Sequence, residues 1–226
     1  VYINIIISAM GTEFYPRLIA VSNDRSRVSE LMNQQTRLSI SVGVPVGAVL
    51  FLLAPFLLRL LYSPEFTEAA NLMRWAVFGM IIRFMTCPIG LAVYATCRPR
   101  TIAANELLTG IGTIMISYTM IRIFGLEGVG IGLMLANFLY LVAVASFMAT
   151  RSIRWPKSTI QLVSLVLIFF TCMLFGHKYL SGLHFYTLFV TSVLLLSLYL
   201  LNDMKKEMNI SWTTIQNKIY KFFNRN

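Results

Sequence analysis

Seven apolar stretches of about 20 residues follow one another along this chain, with short polar connections between them. The hydrocarbon core of a bilayer is about 30 Å thick and an α-helix rises about 1.5 Å per residue, so a helix of roughly 20 residues crosses it. Strands of membrane barrels alternate over about 10 residues, whereas these stretches are apolar throughout. The chain is therefore predicted to be all-α, a polytopic transmembrane helix bundle. The predicted spans are residues 1–21, 38–58, 69–97, 101–121, 128–150, 158–176 and 183–201.

Composition and charge exclude most soluble classes. Residues are 57% hydrophobic and 12% charged, whereas a soluble domain carries about 25% charged residues. The net charge of +10 invites a nucleic-acid interpretation, but nucleic-acid binders gather Lys and Arg on one face beside exposed aromatic residues. Here Lys and Arg separate apolar runs, and most aromatic residues lie inside those runs. Membrane lipids are the predicted partner, and nucleic acid is not.

The residues that carry enzyme or metal chemistry are scattered. Cys87, Cys97 and Cys172 show no ligand spacing, so neither a metal site, a cofactor nor a disulfide framework is predicted. No Ser/His/Asp arrangement and no pair of catalytic carboxylates can be assembled, so the chain is not predicted to be an enzyme. Gly128 and Gly132 form a GxxxG step, which predicts close helix packing rather than a nucleotide loop.

The Lys and Arg residues predict an orientation, because basic residues near span ends are retained in the cytoplasm. Thirteen of the 19 lie in the odd-numbered connections and the tail, and the second connection, residues 63–68, carries only acidic charge. The odd connections and the C-terminus are therefore predicted to be cytoplasmic. The tail from residue 203 to 226 has apolar residues at helical spacing, which predicts an amphipathic helix that anchors in the membrane interface.

Four arginines, Arg17, Arg59, Arg74 and Arg83, lie inside predicted spans or directly at a span end, and a charge at the bilayer centre costs about 2.5 to 3.5 kcal/mol. Arg59 and Arg74 lie near span ends, and their long side chains can reach the interface. Arg83 lies fourteen residues from each end of the third span, so its side chain cannot reach the interface on either side. It needs a cavity, a counter-charge or an anionic ligand, so Arg83 is the first substrate-binding candidate and Arg74 the second. Nine residues of helix place these two on opposite faces.

Two further groups of residues are candidates for motion. Pro88 and Gly90 follow Arg83 and predict a kink or break that lines a cavity, and Pro16 is a third hinge candidate. Glu13 and Arg17 are one helical turn apart, and Glu106 is predicted at a depth similar to that of Arg17. The hypothesis is a cluster of these three near the cytoplasmic side that acts as a gate or a proton-linked switch. The alternative is a static ion pair.

Three phrases resemble bacterial oligosaccharide flippases, members of the superfamily that also holds multidrug exporters and the peptidoglycan lipid flippase. They are AMGTEFYPRL at residues 9–18, LYSPEF at 61–66 and FGLEGVGIG at 124–132. The resemblance extends over residues 1–150 and is only hydropathic beyond them. It implies helices eight to fourteen of a two-lobed transporter, so a first lobe and one further helix are expected to precede Val1. The implied divisions are second-lobe helices in 1–150, two further helices in 151–201 and the tail in 202–226.

The resemblance implies a cargo and partners. The cargo would be a polyprenyl-pyrophosphate-linked glycan, a repeat unit of lipopolysaccharide or capsule, moved across the bacterial inner membrane by alternating access. A polymerase and a chain-length protein of the glycan pathway would be partners. Two alternatives remain: a cation-coupled multidrug exporter of the same superfamily, and a membrane glycan polymerase or ligase. A mid-membrane arginine favours an anionic cargo over a cationic one.

Overall fold

The computed structural model describes the backbone of residues 2–61, 69–179, 187, 189–200 and 202–203, with side chains described from residue 11 to 60, from 69 to 176 and at the later positions. All regular structure in these residues is helical, apart from short turns. The prediction of an all-α polytopic bundle is confirmed. The helices are α1 (Tyr2–Ala20), α2 (Arg25–Leu61), α3 (Ala70–Thr96), α4 (Pro99–Phe124), α5 (Glu127–Thr150), α6 (Lys157–Tyr179) and α7 (Phe189–Leu200).

Most of the helices follow the predicted spans closely. Within the described residues, five helices, α2 to α6, are long and apolar enough to cross a membrane, and they match the second to sixth predicted spans. α1 covers most of the first predicted span, and α7 is the described part of the seventh. The second connection and the tail beyond residue 203 lie outside the described residues, so the tail helix stays a prediction.

α2 begins much earlier than predicted, at Arg25 instead of residue 38. Its 37 residues correspond to about 55 Å of helix, more than the hydrocarbon thickness of about 30 Å. The start is capped by Asp24, whose Oδ1 accepts hydrogen bonds from the backbone N–H groups of Ser26 and Arg27 at 3.0 and 3.2 Å. The charges of the predicted connection therefore lie on a helical extension beyond the apolar segment.

α3 is the central helix, and α2 and α6 pack against one of its sides. A Cβ at Gly47 would lie 2.5 Å from the Ile81 side chain, so the missing side chain lets α2 approach α3 closely. The Phe170 ring of α6 stacks on Phe78 of α3 at 5.7 Å and meets Phe51 of α2 edge-on at 6.4 Å. These contacts form an apolar core between the three helices.

α5 runs parallel to α3. At one end Asn71 Nδ2 donates to Glu127 Oε1 at 2.9 Å, and at the other Arg151 Nη1 donates to the Thr96 carbonyl at 3.5 Å. Between these ends Gly79 packs directly on the α5 backbone. The second end, where α3 and α5 finish and α4 begins, carries the basic connections and is called the basic end. It is the predicted cytoplasmic end.

α4 packs on α5 through the two glycines of the GxxxG step, as predicted. A Cβ at Gly128 would lie 2.0 Å from the Met120 carbonyl oxygen, and one at Gly132 would lie 3.0 Å from Ser117 Cα. No residue of α4 is buried, and α4 contacts α3 far less than it contacts α5. A gap therefore opens between α3 and α4, with α5 behind it.

The core is continuous from α1 to α7. The largest cluster of buried apolar residues includes side chains on both sides of residue 150. At the basic end, the half-buried Arg37 of α2 forms an ion pair with Asp203, just beyond α7. These contacts join the two parts that the predicted boundary at residue 150 separates, and the boundary itself stays a prediction.

Candidate functional site

A cavity of about 380 Å³ lies between α3, α4 and α5, in the gap that α4 leaves. Its volume is within the range of about 300 to 1,000 Å³ that is common for small-molecule sites. Polar side chains project into it from all three helices. They are Arg83, Thr86 and Tyr94 of α3, Glu106, Thr109 and Thr113 of α4, and Asn137 and Tyr140 of α5.

Arg83 lies at the midpoint of α3, thirteen residues from either end. Its neighbours Ile82 and Phe84 are buried in the core, at 0% and 6% exposure, whereas Arg83 is exposed and lines the cavity. Among the described residues, no carboxylate oxygen lies within 4.0 Å of the Arg83 guanidinium. The sequence predicted a cavity, a counter-charge or an anionic ligand for this residue. The structure provides a polar cavity and leaves the charge available to a ligand.

Glu106, the acid that lines the same cavity, is bonded to a different residue. The Tyr94 hydroxyl donates to Glu106 Oε1 at 2.8 Å and joins α3 to α4. Tyr94 lies eleven residues beyond Arg83, or about 16 Å further along the helix toward the basic end. The cavity thus has a cation near mid-membrane and a hydrogen-bonded acid toward its basic end.

The predicted cluster of Glu13, Arg17 and Glu106 is wrong in its grouping. Glu13 and Arg17 do pair, at 3.9 Å, with side chains 83% and 70% exposed. Glu106 is not part of that pair, because α1 packs on α3 and α2 whereas α4 packs mainly on α5. Similar depth along two helices does not make those helices neighbours. The gating and ion-coupling roles of the three residues stay predictions.

Arg74 lies on the opposite side of α3 from the cavity, as its nine-residue separation from Arg83 predicts. Its side chain does not reach for the interface: the residue is 5% exposed, and its guanidinium carbon lies 5.7 Å from the centre of the Phe51 ring. Its Nη1 donates to Asn71 Oδ1 at 3.2 Å. The geometry therefore gives Arg74 a packing role, and its predicted substrate-binding role gains no support from the cavity.

Pro88 does not break α3, which is continuous from Ala70 to Thr96. A proline removes one backbone hydrogen bond, and packing by α2 and α5 holds the helix through that loss. Pro16 likewise lies within a continuous α1. Gly90 lines the cavity, where a Cβ would lie 3.2 Å from the Tyr140 hydroxyl. The expected break is therefore corrected, and hinge roles for these three residues stay predictions.

The cavity contains polar residues that sequence reasoning missed. The signal was a polar stripe at three- and four-residue steps, which marks one helix face. The stripe comprises positions 83, 86 and 94 on α3, with Gly90 between the last two, 106, 109 and 113 on α4, and 137 and 140 on α5. Threonine and tyrosine are common in apolar helices, so each looked unremarkable when taken alone. In the described part of the chain, no three His, Cys, Asp or Glu side chains come together as a metal site would require.

Comparison with solved structures identifies the fold. A structure described as the lipid II flippase MurJ in an inward closed conformation matches with a TM-score of 0.60 at 14% sequence identity. The match covers 84% of this chain and 42% of the MurJ chain, so this chain spans less than half the length of that protein. No protein-family model and no curated protein matches the chain. The likeness shows the fold of a helical membrane transporter, and the protein is a multi-pass membrane protein.

Proposed function

We propose that this chain is part of a flippase that moves a polyprenyl-pyrophosphate-linked oligosaccharide across the bacterial inner membrane. The observation that carries the proposal is Arg83, a mid-helix cation in a polar cavity with no carboxylate within ion-pair distance among the described residues. The fold shared with a lipid II flippase supports it. The repeat unit would belong to lipopolysaccharide or capsule, as the sequence phrases imply.

The chemistry of the cavity suits such a headgroup. A guanidinium presents a planar fork of donors that matches phosphate oxygens, and such charge-assisted bonds are stronger where water is excluded. The hydroxyls of Thr86, Thr109 and Thr113 and the amide of Asn137 would hydrogen-bond sugar hydroxyls. The polyprenyl tail would remain in lipid while the headgroup crosses.

The proposed cycle is alternating access, with two lobes rocking about the cavity. Glu106 and its bond to Tyr94 join α3 to α4 on the basic side of Arg83, so breaking this bond would widen the cavity toward that side. Pro16, Pro88 and Gly90 are the proposed hinges. The proposed cytoplasmic C-terminus rests on the distribution of Lys and Arg, and the proposed inner-membrane location rests on the resemblance of the sequence phrases.

The test is an Arg83→Ala variant, expressed from the chain's own gene in a strain that depends on it for surface glycan. Charge-assisted hydrogen bonds contribute about 1.5 to 3 kcal/mol, so we expect glycan display to fall at least about tenfold. Arg59→Ala is the matched control, because Arg59 is also an exposed arginine in an apolar helix but does not line the cavity. Normal display by Arg83→Ala at wild-type membrane level would contradict the proposal.

A second candidate is the cation-coupled drug exporter, which Glu106 and the aromatic rings of Tyr94 and Tyr140 in the same cavity favour. The two candidates differ in which charge matters. An exporter would lose efflux of an aromatic cation such as ethidium in Glu106→Gln and retain it in Arg83→Ala. A flippase for anionic cargo would show no such efflux in the wild type.

A further inference from the structure

A second concave site lies at the basic end, where α2, α3, α5 and α6 meet. It measures about 290 Å³ and shares no lining residue with the Arg83 cavity. Its walls are apolar apart from one arginine. They include Met32, Ile89, Met148, Ile153 and Trp155, with Arg154 among them. A pocket that is apolar except for a single cation is suited to a ligand with an apolar body and an anionic end.

Hydrogen bonds to α2 fix the chain segment that forms this pocket. The Ser29 hydroxyl donates to the Arg154 carbonyl at 2.6 Å, and the Trp155 indole Nε1 donates to Thr36 Oγ1 at 3.3 Å. The Thr159 hydroxyl donates to the Asn33 amide oxygen as α6 begins. The connection between α5 and α6 and the start of α6 are thus attached to α2 at three successive places. The pocket is preformed, so filling it costs little ordering entropy.

The depth of the pocket corresponds to the boundary between acyl chains and headgroups. Ile89 lies seven residues before the end of α3, or about 10 Å along its axis, and Met148 lies two residues before the end of α5. Interfacial segments bury their apolar faces about 5 to 10 Å deep at this boundary. The apolar part of the pocket is therefore level with acyl chains, and Arg154 is level with headgroups.

The chain segment that forms the pocket carries positive charge. Residues 151–157 contain Arg151, Arg154 and Lys157 and no acidic residue. Arg151 is already engaged, because its guanidinium lies 5.0 Å from the Phe147 ring centre. Arg154 and Lys157 are exposed, and no carboxylate of the described residues pairs with either.

We propose that this pocket binds an anionic phospholipid, with one acyl chain against the apolar wall and the headgroup phosphate at Arg154 and Lys157. Basic pockets between membrane helices attract anionic headgroups in this way. A zwitterionic phospholipid would contact the apolar wall without compensating the positive charge. Inorganic phosphate would compensate the charge without contacting the apolar wall. The site does not involve Arg83, so this proposal can be tested separately from the proposed transport function.

The experiment uses fluorescence of Trp155 in the full chain, purified and placed in nanodiscs, with Trp75→Phe and Trp212→Phe as the background. Dibrominated phosphatidylglycerol should quench Trp155 about fivefold more effectively than dibrominated phosphatidylethanolamine, the preference that one basic residue near the surface provides. Arg154→Gln should abolish this preference. Arg100→Gln, which removes an exposed arginine from the same end outside the pocket, should retain it.

Filling the pocket is the second arm. Ala149 lines it, so Ala149→Leu should reduce quenching by both lipids, whereas Ala104→Leu near the start of α4 should not. Equal quenching by the two lipids in the unsubstituted pocket would overturn the proposal. Displacement of phosphatidylglycerol by inorganic phosphate, or preferentially by undecaprenyl phosphate, would also overturn it and assign the site to a free anion or to the cargo. If the double-Trp background fails to fold, native mass spectrometry of bound phosphatidylglycerol on Arg154→Gln and Arg100→Gln replaces the fluorescence.

Discussion

The two sides of α3 differ more than its uniform apolar sequence suggests. Toward α2 and α6, the side chains of α3 are buried among aromatic and aliphatic residues, with Phe78 stacked on Phe170 at 5.7 Å. Toward α4, the same helix lines a cavity with Arg83, Thr86 and Tyr94. One side therefore contributes packing energy, and the other offers polar groups that a ligand can use.

The two arginines of α3 show what this difference means for a charge in a membrane. Arg74 is buried and contacts Asn71 and the Phe51 ring, so its charge is accommodated by the protein itself. Arg83 is exposed in the cavity and has no hydrogen-bond or ion-pair partner in the described part of the chain. The side of the helix on which each arginine lies therefore distinguishes the buried, packed arginine from the cavity arginine better than its depth along the helix does.

The largest expected effect compares two glycines of α3 that both face α5 but meet different kinds of atoms there. A Cβ at Gly79 would lie 2.9 Å from the Met134 Cα, and backbone cannot move aside cheaply, so Gly79→Ala should lower the free energy of unfolding by about 2 kcal/mol. At Gly90 the neighbour is the tip of the Tyr140 side chain at 3.2 Å, and alanine favours a helix. Gly90→Ala should therefore change stability by less than about 0.5 kcal/mol. Denaturant unfolding in detergent measures both, and equal losses would refute the difference between the close backbone contact at Gly79 and the cavity wall at Gly90.

The next prediction compares the arginines by stability alone. Arg74→Met should lower the free energy of unfolding by about 1.5 kcal/mol, because it removes a hydrogen bond and a cation–π contact in the core. Arg83→Met should leave stability within about 0.5 kcal/mol, since no described side chain depends on it. Thermal unfolding of the two purified variants gives the answer. A destabilised Arg83→Met would mean that Arg83 has a structural role.

Much of the fold was predictable, because it depends on properties local to each helix. Apolar length identified the spans, a 100° turn per residue separated Arg74 from Arg83, and the GxxxG step predicted a close helix contact, which Gly128 makes with α4. The early start of α2 was missed because the predicted spans were defined by apolar residues, whereas the first turns of α2 after the Asp24 cap contain charged residues.

The site was only partly predictable. Arg83 could be found because its depth alone makes it costly, whereas the partners of Glu106 depend on which helices are neighbours. Tyr94, whose hydroxyl donates to Glu106, lies near the end of an apolar helix, and its place in the sequence does not indicate that partner. Hydropathy carries no information about the lateral order of helices, so the grouping of Glu106 with Arg17 was wrong.

The bond across the cavity should have a smaller effect on stability. Tyr94→Phe removes the donor of one exposed hydrogen bond, and Glu106→Gln removes the charge of its acceptor, so a double-mutant cycle should give a coupling of about 0.5 to 1 kcal/mol. If Glu106 gates the cavity, Glu106→Gln should also slow glycan display, whereas the exposed Glu30→Gln should not. Transport measured from acidic to neutral pH tests this, and normal transport by Glu106→Gln at every pH would end the gating hypothesis.

The smallest expected effect concerns the acid that does not reach the cavity. Glu13 and Arg17 pair at 3.9 Å with both side chains largely exposed, and Arg17 lies near the basic end of α1, within reach of interfacial water. An exposed pair of this spacing contributes only about 0.3 to 0.5 kcal/mol, and about 1 M salt should remove it because screening then acts over about 3 Å. Glu13→Gln should therefore lower the free energy of unfolding only slightly at low salt and leave it unchanged at high salt. A loss above about 1.5 kcal/mol that salt does not alter would mean that this face of α1 is shielded from water, and Glu13 would then be comparable to Glu106 as a functional acid.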